Sequence, residues 1–140
     1  MNSPKYLVDC GPLVAVLNRR DRHHQWAAGV LSSLGEPPMT SESVLTEVCW
    51  HLRHSVAAVA RVLEMPARGD LVIYPILATD GLQIAAKITR FGKEMDLADA
   101  CLVRLAEIYP LAKVITIDRE HFTIYRRNRN QPIPLIVPKD

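Results

Sequence analysis

Short apolar runs alternate along the chain with longer segments whose apolar positions recur every three or four residues. Runs of the first kind, typical of buried strands, occupy residues 5–9, 38–40, 71–76, 114–117 and 133–137. Segments of the second kind, typical of helices, occupy residues 13–17, 23–34, from 40 or 41 onward, 56–63, 81–91 and 97–109. The prolines in the last run favour the edge of a sheet, where a missing N–H group is tolerated.

Strands that alternate with helices predict βαβ units, which build a mainly parallel sheet covered by helices on both faces. A chain of 140 residues can bury one sizeable core but is too short for two ordinary ones. We find no internal repeat, low-complexity tract or linker that would divide it. The sequence therefore predicts one α/β domain over residues 1–140.

The composition narrows the class of protein. Hydrophobic residues make up 49% and charged residues 23%, which is typical of a folded protein and excludes a disordered one. The net charge of +2 does not by itself indicate a nucleic-acid binder. Three cysteines without a C-x-x-C pair argue against a disulfide scaffold and favour a reducing cytoplasm. Asp9 interrupts the first apolar run, so we expect neither a signal peptide nor a membrane anchor.

Four acidic residues, far apart in sequence, are predicted to meet at one rim of this sheet. Asp9 and Asp118 follow the first strand and the strand at residues 114–117. Glu47 and Asp99 lie in the first two turns of helices that follow strands. In a parallel sheet the carboxyl ends of the strands, and the helix starts that follow them, face the edge where ligands bind.

The surroundings of each acid separate these four from their neighbours. Glu47 borders a buried stripe on its helix, so its carboxylate should be half-buried and should need a partner. Asp99 stands among small residues that would let a ligand approach. Glu42 has a sufficient role as a first-turn partner of the helix dipole, and Asp96 makes a natural N-cap.

The negative charge of acids gathered in this way must be compensated. Two unit charges ~4 Å apart repel by about 4 kcal/mol at an effective dielectric of ~20, so such a cluster requires cations or raised pKa values. Hard carboxylate oxygens favour magnesium or manganese. Two such ions can polarise a phosphate, activate a water molecule and steady the leaving oxygen. The residues thus indicate phosphodiester hydrolysis.

Five segments, taken in order and spacing, resemble the PIN-domain family and specifically the VapC-type toxins of bacterial toxin–antitoxin pairs. They are residues 7–9, 21–27, 40–48, 96–100 and 116–122. The resemblance implies a three-layer α/β/α fold and cleavage of single-stranded RNA that depends on Mg²⁺ or Mn²⁺. It also implies a small DNA-binding antitoxin as partner, and a homodimer.

In this interpretation Asp9, Glu47, Asp99 and Asp118 share one or two metal ions. Asp9 and Asp99 would be the principal direct ligands, and Glu47 and Asp118 would complete the site or orient the attacking water. Many relatives carry Ser or Thr just after the first acid, where this chain has Cys10 and Gly11. Backbone N–H groups around Gly11 would have to replace that hydroxyl.

Other functions stay open. An RNA-processing nuclease without an antitoxin would use the same acids, and a PIN-fold binding module without catalysis would suit the missing hydroxyl. An aspartyl phosphatase is disfavoured, because Asp9 is not followed by a second acid two residues later.

Several polar groups have both a structural and a functional interpretation. The cysteines are expected to be buried thiols rather than zinc ligands, and His23 and His24 a solvated helix start rather than a proton shuttle. His51 is spaced to touch Glu47 on one helix. Two arginine clusters, solvated loops or grips on the RNA backbone beside the acids, are Arg19, Arg20 and Arg22, and Arg126, Arg127 and Arg129.

Overall fold

The computed structural model describes residues 3–139, and in them a five-stranded sheet forms the centre of the molecule. The strands are β1 (Tyr6–Val8), β2 (Met39–Thr40), β3 (Val72–Ile73), β4 (Lys113–Ile115) and β5 (Leu135–Ile136). Their order is β3-β2-β1-β4-β5, and every pairing is parallel. The predicted parallel sheet and the edge position of the last strand are confirmed. The predicted domain includes residues 1, 2 and 140, which lie outside the described residues, and its extent stays a prediction.

Seven α-helices connect and flank the strands in the described part of the chain. They are α1 (Cys10–Leu17), α2 (His24–Ser32), α3 (Glu42–His51), α4 (Val56–Arg68), α5 (Leu77–Phe91), α6 (Leu97–Ile108) and α7 (Arg119–Ile124), with one 3-10 turn at Gly92–Glu94. Helix α1 packs against α2, α3 and α4, while α5 packs against α6, which in turn contacts β1 and β4. The predicted three-layer α/β/α arrangement is confirmed.

Several element bounds differ from the sequence-based ones for identifiable reasons. Helix α1 begins three residues early, because Asp9 caps it directly after β1. Helix α4 continues past its predicted end to Gly69, whose φ of +80° ends it in a conformation that favours glycine. The run at 71–76 yields only two strand residues, and α5 already begins at Leu77, with a kink at Asp80. Helix α7 was not predicted, since its six residues are too few to show a helical period.

The direction in which successive strands are added across the sheet reverses at β1. The chain moves from β1 to β2 and β3 on one side, crosses back through α5 and α6 to β4 on the other side, and ends at β5. In open α/β sheets the crevice at such a reversal, at the carboxyl ends of the strands, is where ligands bind. Here the two strands that border it are β1 and β4.

The core is built on these two central strands. Leu7, Val8, Val114 and Ile115 are completely buried, and helix α6 contributes seven buried side chains to the same core. Such burial fixes the carboxyl ends of β1 and β4 rigidly. No helix within residues 3–139 is long and apolar enough to cross a membrane.

Candidate active site

An open cleft of about 680 Å³ lies at the carboxyl ends of β1 and β4. The four predicted acids, Asp9, Glu47, Asp99 and Asp118, all line it. Three acids that the sequence analysis did not assign to the site also line it, namely Asp21, Glu94 and Asp96. The arginine and lysine side chains that line it are those of Arg22 and Lys93. The cleft is therefore strongly acidic and lies at the reversal point of the sheet.

Asp9 lies deepest in this cleft, with only 7% of its surface exposed. Its Oδ1 accepts a hydrogen bond from the Cys10 N–H (2.8 Å), and its Oδ2 accepts one from the Thr116 hydroxyl (2.7 Å). Burial raises the pKa of Asp9, although these two hydrogen bonds partly oppose the rise. The carboxylate is held in one orientation, and each oxygen keeps a lone pair for a ligand.

Thr116 connects the two central strands at the cleft. Its hydroxyl donates to Asp9 and accepts a hydrogen bond from the Asp118 N–H (3.0 Å). The side chain is completely buried, so it positions both acids at once. The sequence analysis did not single out Thr116, although a buried hydroxyl two residues before a predicted site acid was a usable signal.

The two residues after Asp9 show how this chain manages without a hydroxyl there. The Cys10 N–H donates to the Asp9 carboxylate, and the use of backbone N–H groups around Gly11 toward a ligand stays a prediction. Burial raises the pKa of the Cys10 thiol, which keeps it neutral. A Cβ atom at Gly11 would lie 3.2 Å from Ile117 Cδ1. A serine or threonine at position 11 would therefore require Ile117 to shift.

Asp99 is positioned by the start of helix α6 and by Tyr125. The Asp96 carboxylate caps the helix by accepting from the Asp99 N–H (2.8 Å), and Asp99 Oδ2 accepts in return from the Asp96 N–H (3.4 Å). The Tyr125 hydroxyl donates to Asp99 Oδ2 (2.9 Å). Burial, followed by the charge of Asp96, raises the pKa of Asp99 to about 7.

Glu47 is half-buried, as its position beside the apolar stripe of α3 predicts. Burial, followed by a hydrogen bond and repulsion from Asp96, raises its pKa to about 8. Asp96 is thus the predicted N-cap and also one of the carboxylates that line the cleft. Its spacing of three residues from Asp99 on a helix start could have indicated this second role.

A histidine that the sequence analysis missed joins two acids at the rim. Asp118 caps α7 by accepting from the His121 N–H (3.0 Å), and His121 Nδ1 lies 3.0 Å from Asp118 Oδ2. The other ring nitrogen lies 2.9 Å from Glu94 Oε2. These contacts, with Asp118 first, raise the pKa of His121. When protonated, the imidazolium offsets part of the negative charge of the cleft.

The remaining histidines and the cysteines lie in different surroundings, and His54 is exposed outside the cleft. His23 and His51 line the cleft. His24 Nδ1 lies 2.8 Å from the Ala15 carbonyl oxygen and so ties α2 to α1. The cysteines have no disulfide partner within the described residues. Cys10 and Cys101 are buried, as expected of apolar thiols, whereas Cys49 is only partly buried.

The two arginine clusters separate in the structure. Arg22 lines the cleft, whereas Arg19 and Arg20 are exposed in the turn between α1 and α2. Arg127 donates to the carbonyl oxygens of Ala106 (2.9 Å) and Pro110 (2.8 Å) at the end of α6.

Arg126 donates to carbonyl oxygens at the end of α7. Neither Arg126, Arg127 nor Arg129 lines the cleft. The hypothesis that these three grip RNA beside the acids is wrong for Arg127, whose guanidinium group serves the fold.

The donor chemistry of the cleft suits a hard divalent cation. The acids supply only oxygen donors, and burial, together with the neighbouring carboxylates, raises the pKa values of Asp9, Glu47 and Asp99. Within residues 3–139 no three Asp, Glu, His or Cys side chains are already gathered closely enough to hold one ion. Asp9 and Asp99, whose carboxylates are held by hydrogen bonds, would be the residues best placed to hold such an ion.

Comparison with known proteins agrees with this geometry. The model of the PIN domain family matches residues 6–127. Two solved structures resemble the chain. VapC20 of Mycobacterium tuberculosis, described as a Sarcin-Ricin loop cleaving toxin, has a TM-score of 0.75 and 20% identity, over 83% of this chain and 92% of that one. A chain of DNA-bound VapBC from Salmonella typhimurium has a TM-score of 0.62 and 18% identity, over 96% and 98%. A comparison with curated protein sequences gives no significant match.

A parallel α/β domain with an acidic cleft at its reversal point defines a class of ligand-binding folds, and the family match is more specific. Because that match covers most of the chain, the protein belongs to the PIN domain family. Its fold is that of VapC proteins. Both findings confirm the family resemblance of the five sequence segments.

Proposed function

We propose that this protein is an endoribonuclease that cleaves single-stranded RNA and depends on Mg²⁺ or Mn²⁺. The observation that carries the proposal is the buried Asp9, held by Thr116 and the Cys10 N–H in a cleft with six further carboxylates. PIN-domain proteins and VapC toxins are nucleases, and one structural neighbour is described as cleaving the Sarcin-Ricin loop. Helix capping accounts for Asp9, Asp96, Asp99 and Asp118 one by one, but it does not require that they and Glu47 line the same open cleft.

The proposed roles follow from how each acid is held. Asp9 and Asp99 have fixed orientations, so we assign them as principal metal ligands, with Glu47 and Asp118 completing the site or orienting the attacking water. Bound there, a divalent cation would polarise the phosphate and lower the pKa of a water molecule. The Tyr125 hydroxyl holds Asp99 in place. Arg22 and Lys93 on the cleft walls would attract the phosphodiester that the acids repel.

We further propose that the protein is a cytoplasmic toxin with a cognate antitoxin, and that it forms a homodimer. The structural neighbours support this assignment, since one is described as a toxin and the other as a VapBC assembly. Large apolar side chains exposed on α3 and α4, including Trp50 (62%) and Leu63 (54%), would suit protein contacts. A gene for a short DNA-binding protein beside this one would favour the toxin over an RNA-processing nuclease.

One observation favours a binding module without catalysis. No three ligating side chains in the described residues are gathered for metal binding, and Glu47 is engaged with Asp96. Such a module would bind RNA equally well with manganese or with a chelator, and would leave it intact.

Cleavage of mixed cellular RNA by the purified protein, with Mn²⁺ and with a chelator, tests the proposal when the new RNA ends are mapped. Asp99→Asn should lower the rate at least tenfold, which corresponds to about 1.4 kcal/mol of barrier. Asp70→Asn, at an exposed acid outside the cleft, is the matched control and should cleave like wild type. Undiminished cleavage by the Asp99→Asn protein would contradict the assignment.

A further inference from the structure

A second groove opens beside the acidic cleft, between the start of α2 and the segment after β5. Its volume is about 490 Å³, and its lining includes Arg22, His23, Trp26, Pro138 and Lys139. Arg22 and His23 also line the acidic cleft, so the two depressions share these two residues and are neighbours. We call this depression the α2 groove.

The walls of the α2 groove are fixed by contacts from three elements. The Asp21 carboxylate accepts from the His23 N–H (2.8 Å), which sets the turn before α2. Trp26 is half-buried and packs against the core, with its ring edge-to-face to that of His23 at 6.4 Å. The Arg119 guanidinium donates to the Pro138 carbonyl and anchors the opposite wall.

The α2 groove is lined by basic and aromatic side chains, whereas the cleft is lined mainly by acids. Its described lining residues carry no carboxylate, and they combine the cations Arg22 and Lys139 with the aromatic rings of Trp26 and His23. Cationic side chains and a fixed aromatic ring are the two components of sites that bind single-stranded nucleic acid. There the bases stack on the ring and the phosphates contact the cations. An acidic peptide would use the cations but would leave the aromatic wall without a partner.

We propose that the α2 groove binds the nucleotide next to the scissile phosphate, with its base against Trp26 and its phosphate between Arg22 and Lys139. This inference rests on the proposed ribonuclease function and adds to it a site for the flanking nucleotide. The shared residues Arg22 and His23 would then lie where the RNA strand passes from the groove into the cleft.

Fluorescence of Trp26 reports on this groove directly. The chain has two tryptophans, and the other, Trp50, is 62% exposed beneath the Arg53 guanidinium and lines neither depression. In a Trp50→Phe protein, a short single-stranded oligoribonucleotide in chelator should quench the emission saturably. An abasic oligomer of equal length should not, because it has no base to stack. The converse protein, Trp26→Phe with Trp50 intact, should show no quenching.

Affinity measurements with a labelled oligoribonucleotide add a second readout. Trp26→Leu should weaken binding at least about fivefold, since a stacked base contributes roughly that much or more. Arg22→Ala and Lys139→Ala should each lower the slope of log Kd against log salt by roughly 0.7. Arg61→Ala, at an exposed arginine on α4, is the matched control and should leave the slope unchanged.

The outcomes separate this inference from the proposed function. RNA that is cleaved with Mn²⁺ but neither quenches Trp26 nor loses affinity in Trp26→Leu would overturn the groove alone. Quenching by an acidic peptide and not by RNA would also overturn it, and would assign the groove to a protein partner. Quenching by RNA without cleavage in any metal would overturn the nuclease and support the groove. The quenching experiment leaves Trp26 in place, so it holds even where Trp26→Leu fails to fold.

Discussion

Replacing Glu47 with glutamine should stabilise the metal-free protein, although the substitution removes a proposed metal-site residue. Burial and the neighbouring Asp96 raise the pKa of Glu47 to about 8, so the folded state disfavours its charge. Glutamine keeps the size of the side chain and removes that charge. Asp9→Asn would be a less clear test, because both Asp9 oxygens accept hydrogen bonds and an amide offers only one acceptor oxygen.

The magnitude follows from the raised pKa. A rise from 4.5 to about 8 corresponds to ~5 kcal/mol at full strength. Glu47 is only half-buried, and solvent screens much of this cost, so we expect Glu47→Gln to add about 1–3 kcal/mol to the free energy of unfolding. For a chain of this size, that is an increase in Tm of roughly 3–10 °C.

The gain should depend on pH with a definite sign. Below pH ~4.5 Glu47 is protonated in both the folded and the unfolded state, so wild type and variant should have equal stability. Between pH ~4.5 and about 8 the folded state binds more protons than the unfolded state, so wild type loses stability as pH rises. Above that window the difference should be largest and constant.

The assay is a set of thermal melts at pH 4.5, 6, 7.5 and 8.5, each in chelator and in Mn²⁺. Glu42→Gln, on the same helix but exposed and outside the cleft, is the matched control and should show no gain. In Mn²⁺ wild type should recover, because an ion bound only by the folded state adds about 2.7 kcal/mol at a hundredfold excess over Kd. A Glu47→Gln protein that melts at or below wild type in chelator at pH 8.5 would refute the reasoning.

Three further predictions concern contacts around and beyond the acidic cleft. Tyr125→Phe, which removes a buried hydroxyl that contacts Asp99 and the Glu94 carbonyl, should weaken Mn²⁺ binding about tenfold by calorimetry and lower the free energy of unfolding by about 0.5–1.5 kcal/mol. Glu107→Gln removes a nearly buried carboxylate that binds Lys87 and Arg104, and should cost about 2–4 kcal/mol at pH 7 in denaturant melts. Hydrogen bonds lower the pKa of Glu107 despite its burial. The cost of the substitution should therefore vanish as the pH falls through the lowered pKa of Glu107 in the folded state. Arg127→Ala should cost about 1–3 kcal/mol of stability and leave the salt dependence of RNA binding unchanged.

The sequence predicted the sheet and the gathering of the four acids because both follow from periodicity and topology. Strand-ending acids such as Asp9 are delivered to one rim by any parallel sheet, whatever the exact strand length. The six-residue α7 and the bounds of the two-residue β3 were harder to predict, since so few positions cannot show a period.

The partners of the acids were less predictable than the acids themselves. Thr116, Tyr125 and His121 reach the cleft through side-chain directions that are set only when β4 and α7 are packed. For Arg127 the sequence suggested a functional contact, and the structure shows a structural one. Its charge suggested an RNA contact, whereas the free carbonyl groups at the end of α6 bind the guanidinium group.

Among the four predicted site acids and their neighbour Asp96, all but Glu47 belong to helix starts, and this lowers the cost of gathering them without a metal. Asp9, Asp96 and Asp118 are the N-caps of α1, α6 and α7, and Asp99 completes the capping box of α6. The positive ends of three helix dipoles therefore face the cleft and offset part of the repulsion. Glu47 lies in the middle of α3 and caps no helix. Burial and repulsion raise its pKa to about 8, against about 7 for Asp99. Burial also raises the pKa of Asp9 despite its capping role, so a bound cation would relieve the charge of Glu47 most directly and that of Asp9 as well.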